Sequence, residues 1–273
     1  MGLALVVGCG LIALGPSAML WVFVVGKRPA LVIIAIVSAF FWLASIALAS
    51  LVWTMLPRAQ GMWMWTLCTG VVIQGCGRLV LARLYIKTER MIDEVQARAR
   101  HENGDGGIRR GEGAVGINSG GVTEHDGERS SQLVLNGLSS SIAAGVGWGA
   151  MHAVVRVGTA LAKHTGAGAA FSPSCPRVPS VIVTAFSAQA FVWLDLLLVA
   201  MAFAYLRSGE MRLVVCSFGL HFLGAISTGF NFIHGGCVAS LPLLYGVVAL
   251  SVVATRSFRL FTSTAHSVST RSP

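Results

Sequence analysis

Seven long apolar runs dominate this sequence and constrain its fold more than any other feature. They cover residues 2–26, 31–56, 61–86, 132–155, 178–206, 212–233 and 237–255. A membrane-spanning helix needs roughly 20 apolar residues, and the backbone of such a segment has no hydrogen-bond partner in a bilayer except itself. Each run is long enough to span as a helix. We therefore predict an all-α, polytopic membrane protein with seven transmembrane helices.

The composition is that of a membrane protein rather than a soluble domain. Hydrophobic residues make up 55% of the chain and charged residues only 11%, whereas soluble domains are roughly 25% charged. A net charge of +9 would suggest nucleic-acid binding in a soluble protein. Here the basic residues lie mostly in the loops between apolar runs, so membrane topology explains them. We expect the lipid bilayer as a partner and no nucleic acid.

The distribution of Lys and Arg predicts how the chain is oriented. Fifteen of these residues fall in one set of alternate loops and the C-terminal tail, and four fall in the other set, with Arg78 inside a span and left out. Loops rich in Lys and Arg remain in the cytosol. Because seven spans place the termini on opposite sides, we predict a lumenal N-terminus and a cytosolic C-terminus.

Two segments outside the apolar runs differ in composition from the rest. Gly, Asn, Asp, Glu and Arg dominate residues 101–129, which predicts a disordered cytosolic loop. Before it, charges alternate around Met91, Ile92 and Val95, and this pattern predicts a short amphipathic helix beyond the membrane. Residues 262–273 are rich in Ser and Thr. We divide the chain into a membrane domain, 1–261, and a cytosolic tail, 262–273.

Small residues recur every fourth position in the fourth run. Positions four apart lie on one face of a helix, so this helix presents a groove that is almost free of side chains. In a bilayer such a groove is a surface for close helix packing. It either packs against neighbouring helices of this chain or binds another protein, and the pattern does not decide which. The four residues are Gly137, Ser141, Gly145 and Gly149.

Three ionisable residues inside the spans stand out as functional candidates, because such groups are costly at membrane depth. Arg78 lies near enough to the cytosolic end of its span to extend its side chain to the interface. Asp195 and His221 lie roughly 16 Å and 13 Å from that same end of the bundle, at 1.5 Å per residue. We predict an Asp195–His221 polar pair, which either ties two helices together or lines a hydrated cavity.

This inventory of residues argues against catalysis by the chain. An intramembrane aspartyl protease needs two carboxylates that share a proton, and the spans contain only Asp195. No HExxH zinc motif and no GxSxG nucleophile motif occurs. We therefore predict a protein that is not an enzyme and has no metal site and no cofactor. A stand-alone transporter or channel with a buried Asp/His pair is the alternative.

The cysteines show no metal-binding spacing. In the predicted orientation, Cys175 and Cys237 both lie on the lumenal side, where the compartment is oxidising. A disulfide between them is chemically possible, but it requires Cα atoms within about 7 Å. We expect two separate thiols.

Several segments of the chain carry a specific combination of residues. The most specific is in the second run, Ala39-Phe-Phe-Trp-Leu-Ala-Ser-Ile-Ala-Leu-Ala-Ser-Leu-Val-Trp53. The others are Leu14-Gly15-Pro16, Gly137-Leu138-Ser139, His221 with Asn231, and Ala239-Ser240-Leu241 leading to Tyr245. Together these segments resemble one known family, the anterior-pharynx-defective subunit of gamma-secretase. The resemblance covers the seven spans and leaves out residues 101–129.

The resemblance implies a non-catalytic scaffold and assembly subunit of gamma-secretase. Its partners would be a presenilin-type aspartyl protease, a nicastrin-type glycoprotein and a small presenilin-enhancer subunit. The complex would process membrane proteins, including those of the Notch signalling pathway. The implied location is the endoplasmic reticulum, the Golgi and the plasma membrane.

The sequence departs from the family pattern at two positions. The family's GxxxGxxxG motif falls on Gly137, Ser141 and Gly145, so serine replaces the middle glycine. The family also has a membrane-embedded histidine in each of the fifth and sixth spans. The sixth-span histidine corresponds to His221, but the fifth-span position is Asp195. An acid–imidazole contact would replace a pair of histidines.

Overall fold

Seven long helices follow one another in the computed structural model, each within or around one of the predicted apolar runs. The structure describes residues 3–56, 62–108, 125–163, 171–172 and 174–258. All seven helices are long and apolar enough to cross a membrane. They are α1 (Leu3–Leu20, continued by the π-helical turn Trp21–Val25), α2 (Pro29–Met55), α3 (Trp63–Ile108), α4 (His125–Lys163), α5 (Ser180–Ser208), α6 (Met211–Gly229) and α7 (Cys237–Ser257).

Local sequence signals account for two of the helix ends. Pro29 occupies the first turn of α2, where its fixed φ suits a helix and its missing N–H is not needed. Gly209 follows the end of α5 with φ of 76°, and its N–H donates to Tyr205 O at 2.7 Å. Glycine adopts this left-handed conformation without a steric cost. A tight turn then leads into α6.

A short β-hairpin modifies the all-α prediction. Strand β1 (Phe171–Ser172) pairs antiparallel with β2 (Cys175–Pro179), and Phe171 lies opposite Pro179. The hairpin connects α4 to α5 at one end of the bundle. The apolar runs gave no signal for it, because the segment is short and rich in proline.

The segment 101–129, predicted to be disordered, is helical at both of its ends. Helix α3 continues to Ile108, and α4 begins at His125. A helix that has already formed extends at low cost, since each added residue gains a backbone hydrogen bond. The predicted disordered segment, 101–129, therefore includes residues that are helical in the structure, 101–108 and 125–129. Its middle part, 109–124, lies outside the described residues, as does the tail 262–273.

Helix α5 lies at the centre of the bundle. Its buried side chains take part in clusters with α1 and α4, with α2, α3 and α4, and with α6 and α7. Helix α4 lies between α5 and α2, and its buried residues include Ala144, Val146 and Trp148. The polar residues singled out in the sequence point into this central region.

Candidate functional site

Four ionisable side chains from four different helices meet inside the bundle. They form what we call the buried polar cluster: Arg78 of α3, His152 of α4, Asp195 of α5 and His221 of α6. Less than a tenth of each residue is exposed, and Asp195 is fully buried. Arg78 and Asp195 each lie 15 residues after the start of their helices, from Trp63 to 78 and from Ser180 to 195. This is about 22 Å along each axis.

Asp195 binds a different partner through each carboxylate oxygen. Arg78 Nη2 donates to Asp195 Oδ1 in a short ion pair. His152 Nδ1 lies 2.7 Å from Asp195 Oδ2. Since a carboxylate can only accept, the His152 proton must lie on Nδ1. Burying a carboxylate is costly unless it is paired and hydrogen-bonded, and the two contacts meet that requirement.

Arg78 also connects Asp195 to His221. Its Nη1 lies 3.1 Å from His221 Nδ1. A guanidinium group only donates, so His221 must accept at Nδ1 and carry its proton on Nε2. The Arg78 guanidinium also lies over the ring of Trp148, with its carbon 5.2 Å from the ring centroid. The imidazole acceptor and the aromatic ring both stabilise a cation that is removed from water.

The structure differs from the predicted Asp195–His221 pair. The two residues belong to one cluster, but Arg78 lies between them, and the imidazole that bonds to Asp195 is that of His152. The expectation that Arg78 extends to the interface is wrong, because only 1% of the residue is exposed. A permanently charged guanidinium away from water is stabilised most by the nearest carboxylate, and that carboxylate is Asp195.

His152 is the member of the cluster that the sequence analysis did not single out. Its ring stacks on Trp42 at 5.2 Å between centroids and also contacts Phe191 at 4.9 Å. The residue lies in the fourth apolar run. It therefore had the same signal as His221, an ionisable side chain at membrane depth.

The row of small residues lies on contacts within this chain. A Cβ at Gly145 would lie 2.8 Å from Leu196 Cα, and one at Gly149 would lie 3.0 Å from Val192 O, both on α5. Gly137 lies under the guanidinium of Arg207, also on α5. Ser141 is buried, and its hydroxyl donates to Leu138 O at 2.8 Å. The backbones of α4 and α5 approach closely along this row.

A further glycine brings α4 against α2 on its other side. A Cβ at Gly147 would collide with the backbone of Ala35. Next to this contact, Ser38 Oγ donates to Ala144 O at 2.5 Å. Small residues therefore let α4 pack closely on two neighbours at once, and the pattern i, i+4 identified only one of these faces.

Cys175 and Cys237 are joined in a disulfide, with their Cα atoms 5.9 Å apart. The expectation of two separate thiols is therefore wrong. Cys175 begins β2, which leads directly into α5, and Cys237 begins α7. Because α5 and α7 start at the same end of the bundle, the two cysteines meet despite a separation of 62 residues in the sequence. The bond ties the hairpin to the last helix.

The chain matches known proteins over most of its length. The model of the family described as "Aph-1 protein" matches residues 4–261. A gamma-secretase subunit APH1-like protein of Arabidopsis thaliana is 27% identical over 253 residues, which are 90% of this chain and 89% of the relative.

Two animal relatives match shorter segments. Gamma-secretase subunit Aph-1 of Drosophila melanogaster is 35% identical over 92 residues, 32% of this chain and 37% of the relative. Gamma-secretase subunit APH-1B of Homo sapiens is 48% identical over 48 residues, 18% of this chain and 19% of the relative. Because the family model covers almost the whole sequence, this chain belongs to the Aph-1 family.

Proposed function

We propose that this chain is a non-catalytic scaffold subunit of a gamma-secretase complex and stabilises a presenilin-type aspartyl protease within it. The observation that supports this most strongly is the family match over residues 4–261, together with relatives named as gamma-secretase subunits. The further proposed partners are a nicastrin-type glycoprotein and a small presenilin-enhancer subunit. The complex acts in the endoplasmic reticulum, the Golgi and the plasma membrane.

The chemistry of the buried polar cluster supports a role without catalysis. Asp195 is its only carboxylate, and both oxygens are engaged by Arg78 and His152. A general acid or base needs a free position within reach of a substrate, whereas these contacts are internal. We propose that the cluster holds α3, α4, α5 and α6 in a fixed arrangement. The outer surfaces of the bundle then keep the geometry that partner subunits recognise.

The row of small residues has a related role in this proposal. Gly145 and Gly149 set the distance between α4 and α5, and Gly147 sets the distance between α4 and α2. The row therefore acts on assembly through the shape of the bundle rather than as the surface that a partner touches.

The proposed orientation places the hairpin and the disulfide in the lumen and the N-terminus on the same side. The excess of Lys and Arg in the opposite loops supports this orientation, and so does a disulfide, which needs an oxidising compartment. A membrane-impermeant thiol reagent applied from the lumen, after reduction, should label Cys175. A cysteine introduced at Ser263 should not react. Labelling of the Ser263→Cys protein alone would reverse the orientation.

Isolation of the chain from its own membranes in mild detergent tests the proposed function. Mass spectrometry of the purified material should identify a presenilin-type protease in stoichiometric amount. A protein that is recovered alone, and that catalyses solute flux after reconstitution into vesicles, would contradict the proposal and favour the transporter or channel alternative.

A further inference from the structure

Four polar atoms beside the buried polar cluster have no hydrogen-bond partner among the described residues. They are Trp42 Nε1, Gln74 Oε1, Arg78 Nε and Trp148 Nε1, and we call them the tryptophan site. The four residues come from α2, α3 and α4 and are 2%, 7%, 1% and 0% exposed. The exterior of the bundle therefore supplies no partner for them.

Measured contacts place the four residues next to one another. The Trp148 ring centroid lies 5.2 Å from the Arg78 guanidinium carbon, and the Trp42 ring stacks on His152 at 5.2 Å. Both tryptophans belong to one cluster of buried side chains. Gln74 precedes Arg78 by four residues and Trp148 precedes His152 by four, so each pair shares one face of its helix. The tryptophan site is thus one region that borders the buried polar cluster.

A concentration of unpaired polar atoms in one place requires an explanation. Buried polar groups are nearly always hydrogen-bonded, because leaving one without a partner is costly. The buried Ser38 hydroxyl follows this rule and donates to Ala144 O at 2.5 Å. The other unpaired atoms in the described part of the chain belong to Ser17, Asn231 and Ser240, which lie on three different elements. A ligand small enough to fit between packed helices would satisfy the atoms of the tryptophan site together.

The chemistry of these atoms specifies the ligand. The two indole N–H groups and Arg78 Nε–H can only donate a hydrogen bond, whereas Gln74 Oε1 can only accept one. The ligand must therefore both accept and donate, which a halide ion cannot do. The charges within the cluster agree, because Arg78 is already balanced by Asp195. Water meets these requirements, and a buried water molecule makes about three hydrogen bonds to such groups.

We propose that the tryptophan site binds internal water molecules, which bridge the two indole N–H groups, the Gln74 carbonyl oxygen and Arg78 Nε. The hydrogen bonds within the buried polar cluster join α3, α4, α5 and α6. Bridging water adds a polar connection to α2 through Trp42. The water belongs to the folded bundle itself, so this inference goes beyond the proposed function and does not depend on it.

Radiolytic hydroxyl-radical labelling of the full-length chain in mild detergent tests the proposal. A radical formed from a bound water molecule oxidises the side chain beside it. After equilibration in isotopically labelled water, Trp42 and Trp148 should incorporate the heavy oxygen several-fold faster than Met201. Met201 is the matched control, because its thioether is readily oxidised and it is fully buried in an apolar cluster. Labelling of both tryptophans as low as that of Met201 would overturn the inference.

Two variants test whether the four atoms share the same water. Gln74→Met removes the acceptor, and Trp42→Phe removes an N–H but keeps a ring against His152. A several-fold lower labelling of Trp148 in either variant supports a shared site, whereas unchanged labelling in both would overturn it. Val72→Leu, on an exposed part of α3, is the control and should change nothing. Retention of the Cys175–Cys237 disulfide in each variant shows that the chain has folded.

Replacement of chloride by gluconate in the buffer tests the anionic alternative. Labelling of both tryptophans and the midpoint of thermal unfolding should stay unchanged. A midpoint lowered by several degrees and restored by chloride, together with higher labelling, would show that a halide occupies the site and would overturn the inference. These measurements read this chain alone. A failure to co-purify partner subunits would therefore defeat the proposed function and leave the internal water in place.

Discussion

Two glycines, one at the centre of the bundle and one at its edge, lie in apolar helices but have very different surroundings. A Cβ at Gly145 in α4 would lie 2.8 Å from Leu196 Cα, whereas a Cβ at Gly246 in α7 would meet no atom within 4 Å. Whole helices show the same contrast. In the most apolar stretch of α4 and of α5, 61% and 67% of the residues are buried, against 22% in that of α7. The inner helices are constrained in shape over most of their surface, whereas the outer helices are constrained over a smaller part of theirs.

Charged residues repeat this contrast between centre and edge. The Arg78–Asp195 pair is fully enclosed, while the side chains of the Glu89–Arg207 pair, 3.2 Å apart, are 27% and 36% exposed. Exposed ion pairs contribute little because water and salt screen them. In a buried pair, removal of one partner leaves the other charge buried without a countercharge, which is strongly destabilising. The same kind of contact therefore has different consequences in the two places.

Breaking the buried pair should have the largest effect. Asp195→Asn leaves the Arg78 guanidinium buried without a countercharge, and we expect a loss of about 3–5 kcal/mol of stability. Glu89→Gln at the edge is the matched control, with an expected loss of about 0–1 kcal/mol. Unfolding of the purified variants in detergent measures both. Equal losses would remove the distinction between centre and edge.

Removal of both charges sharpens this result. Arg78→Met combined with Asp195→Leu removes both charges of the pair and should recover at least half of the stability lost in Asp195→Asn, because replacing a whole buried pair by apolar residues is often neutral. A double variant as unstable as the single one would show that the charges themselves are required.

The disulfide should have the next largest effect. Cys175→Ser with Cys237→Ser releases the hairpin from α7, and we expect a loss of about 2–4 kcal/mol. Cys76→Ser, at an exposed cysteine with a free thiol, is the control and should change little. Thermal unfolding with and without reductant measures the difference. A wild-type protein insensitive to reductant would show that the bond does not stabilise the bundle.

Substitution of the two glycines tests the packing contrast directly. Gly145→Leu should force α4 and α5 apart at a cost of about 1–3 kcal/mol, the range for overpacked cores, and should lower the yield of assembled complex. Gly246→Leu adds the same side chain where there is open space and should leave both quantities unchanged. If Gly145→Leu assembles like wild type, close packing of α4 on α5 is not needed.

The smallest effect is expected in the middle of the segment between α3 and α4. Replacement of residues 109–124 by Gly and Ser of equal length should change stability by less than about 0.5 kcal/mol, the usual range for surface changes. The composition there offers few apolar side chains to bury. A variant that fails to insert or assemble would show that this segment has a specific role.

The sequence could predict the helices but not the way their faces meet. Each apolar run specifies a span through its length, and the rise per residue places Asp195 and His221 at similar depth. Depth does not specify rotation about the helix axis. The pairing of Asp195 with Arg78 and His152 depends on how four helices are rotated, which no local pattern encodes. For this reason the sequence predicts an Asp195–His221 pair and not the contacts of Asp195 with Arg78 and His152.

The disulfide and the second glycine contact were beyond prediction for the same reason. Cys175 and Cys237 are 62 residues apart in the sequence, and their meeting depends on where α5 and α7 start in the folded bundle. Gly147 lies outside the four-residue register, so only the position of α2 reveals its contact with Ala35. His152, by contrast, could have been found, since it is an ionisable residue within an apolar run.

Proteolysis per assembled complex, measured with the Arg78→Met and Asp195→Leu double variant, tests the central claim most directly. The variant lacks the only carboxylate of the buried polar cluster. If this chain is a scaffold without catalytic groups, the amount of complex will change, but proteolysis normalised to assembled complex will stay within about twofold of wild type, a difference of less than about 0.5 kcal/mol in barrier height. Normal assembly with proteolysis lost would contradict the account and place Asp195 in the chemistry.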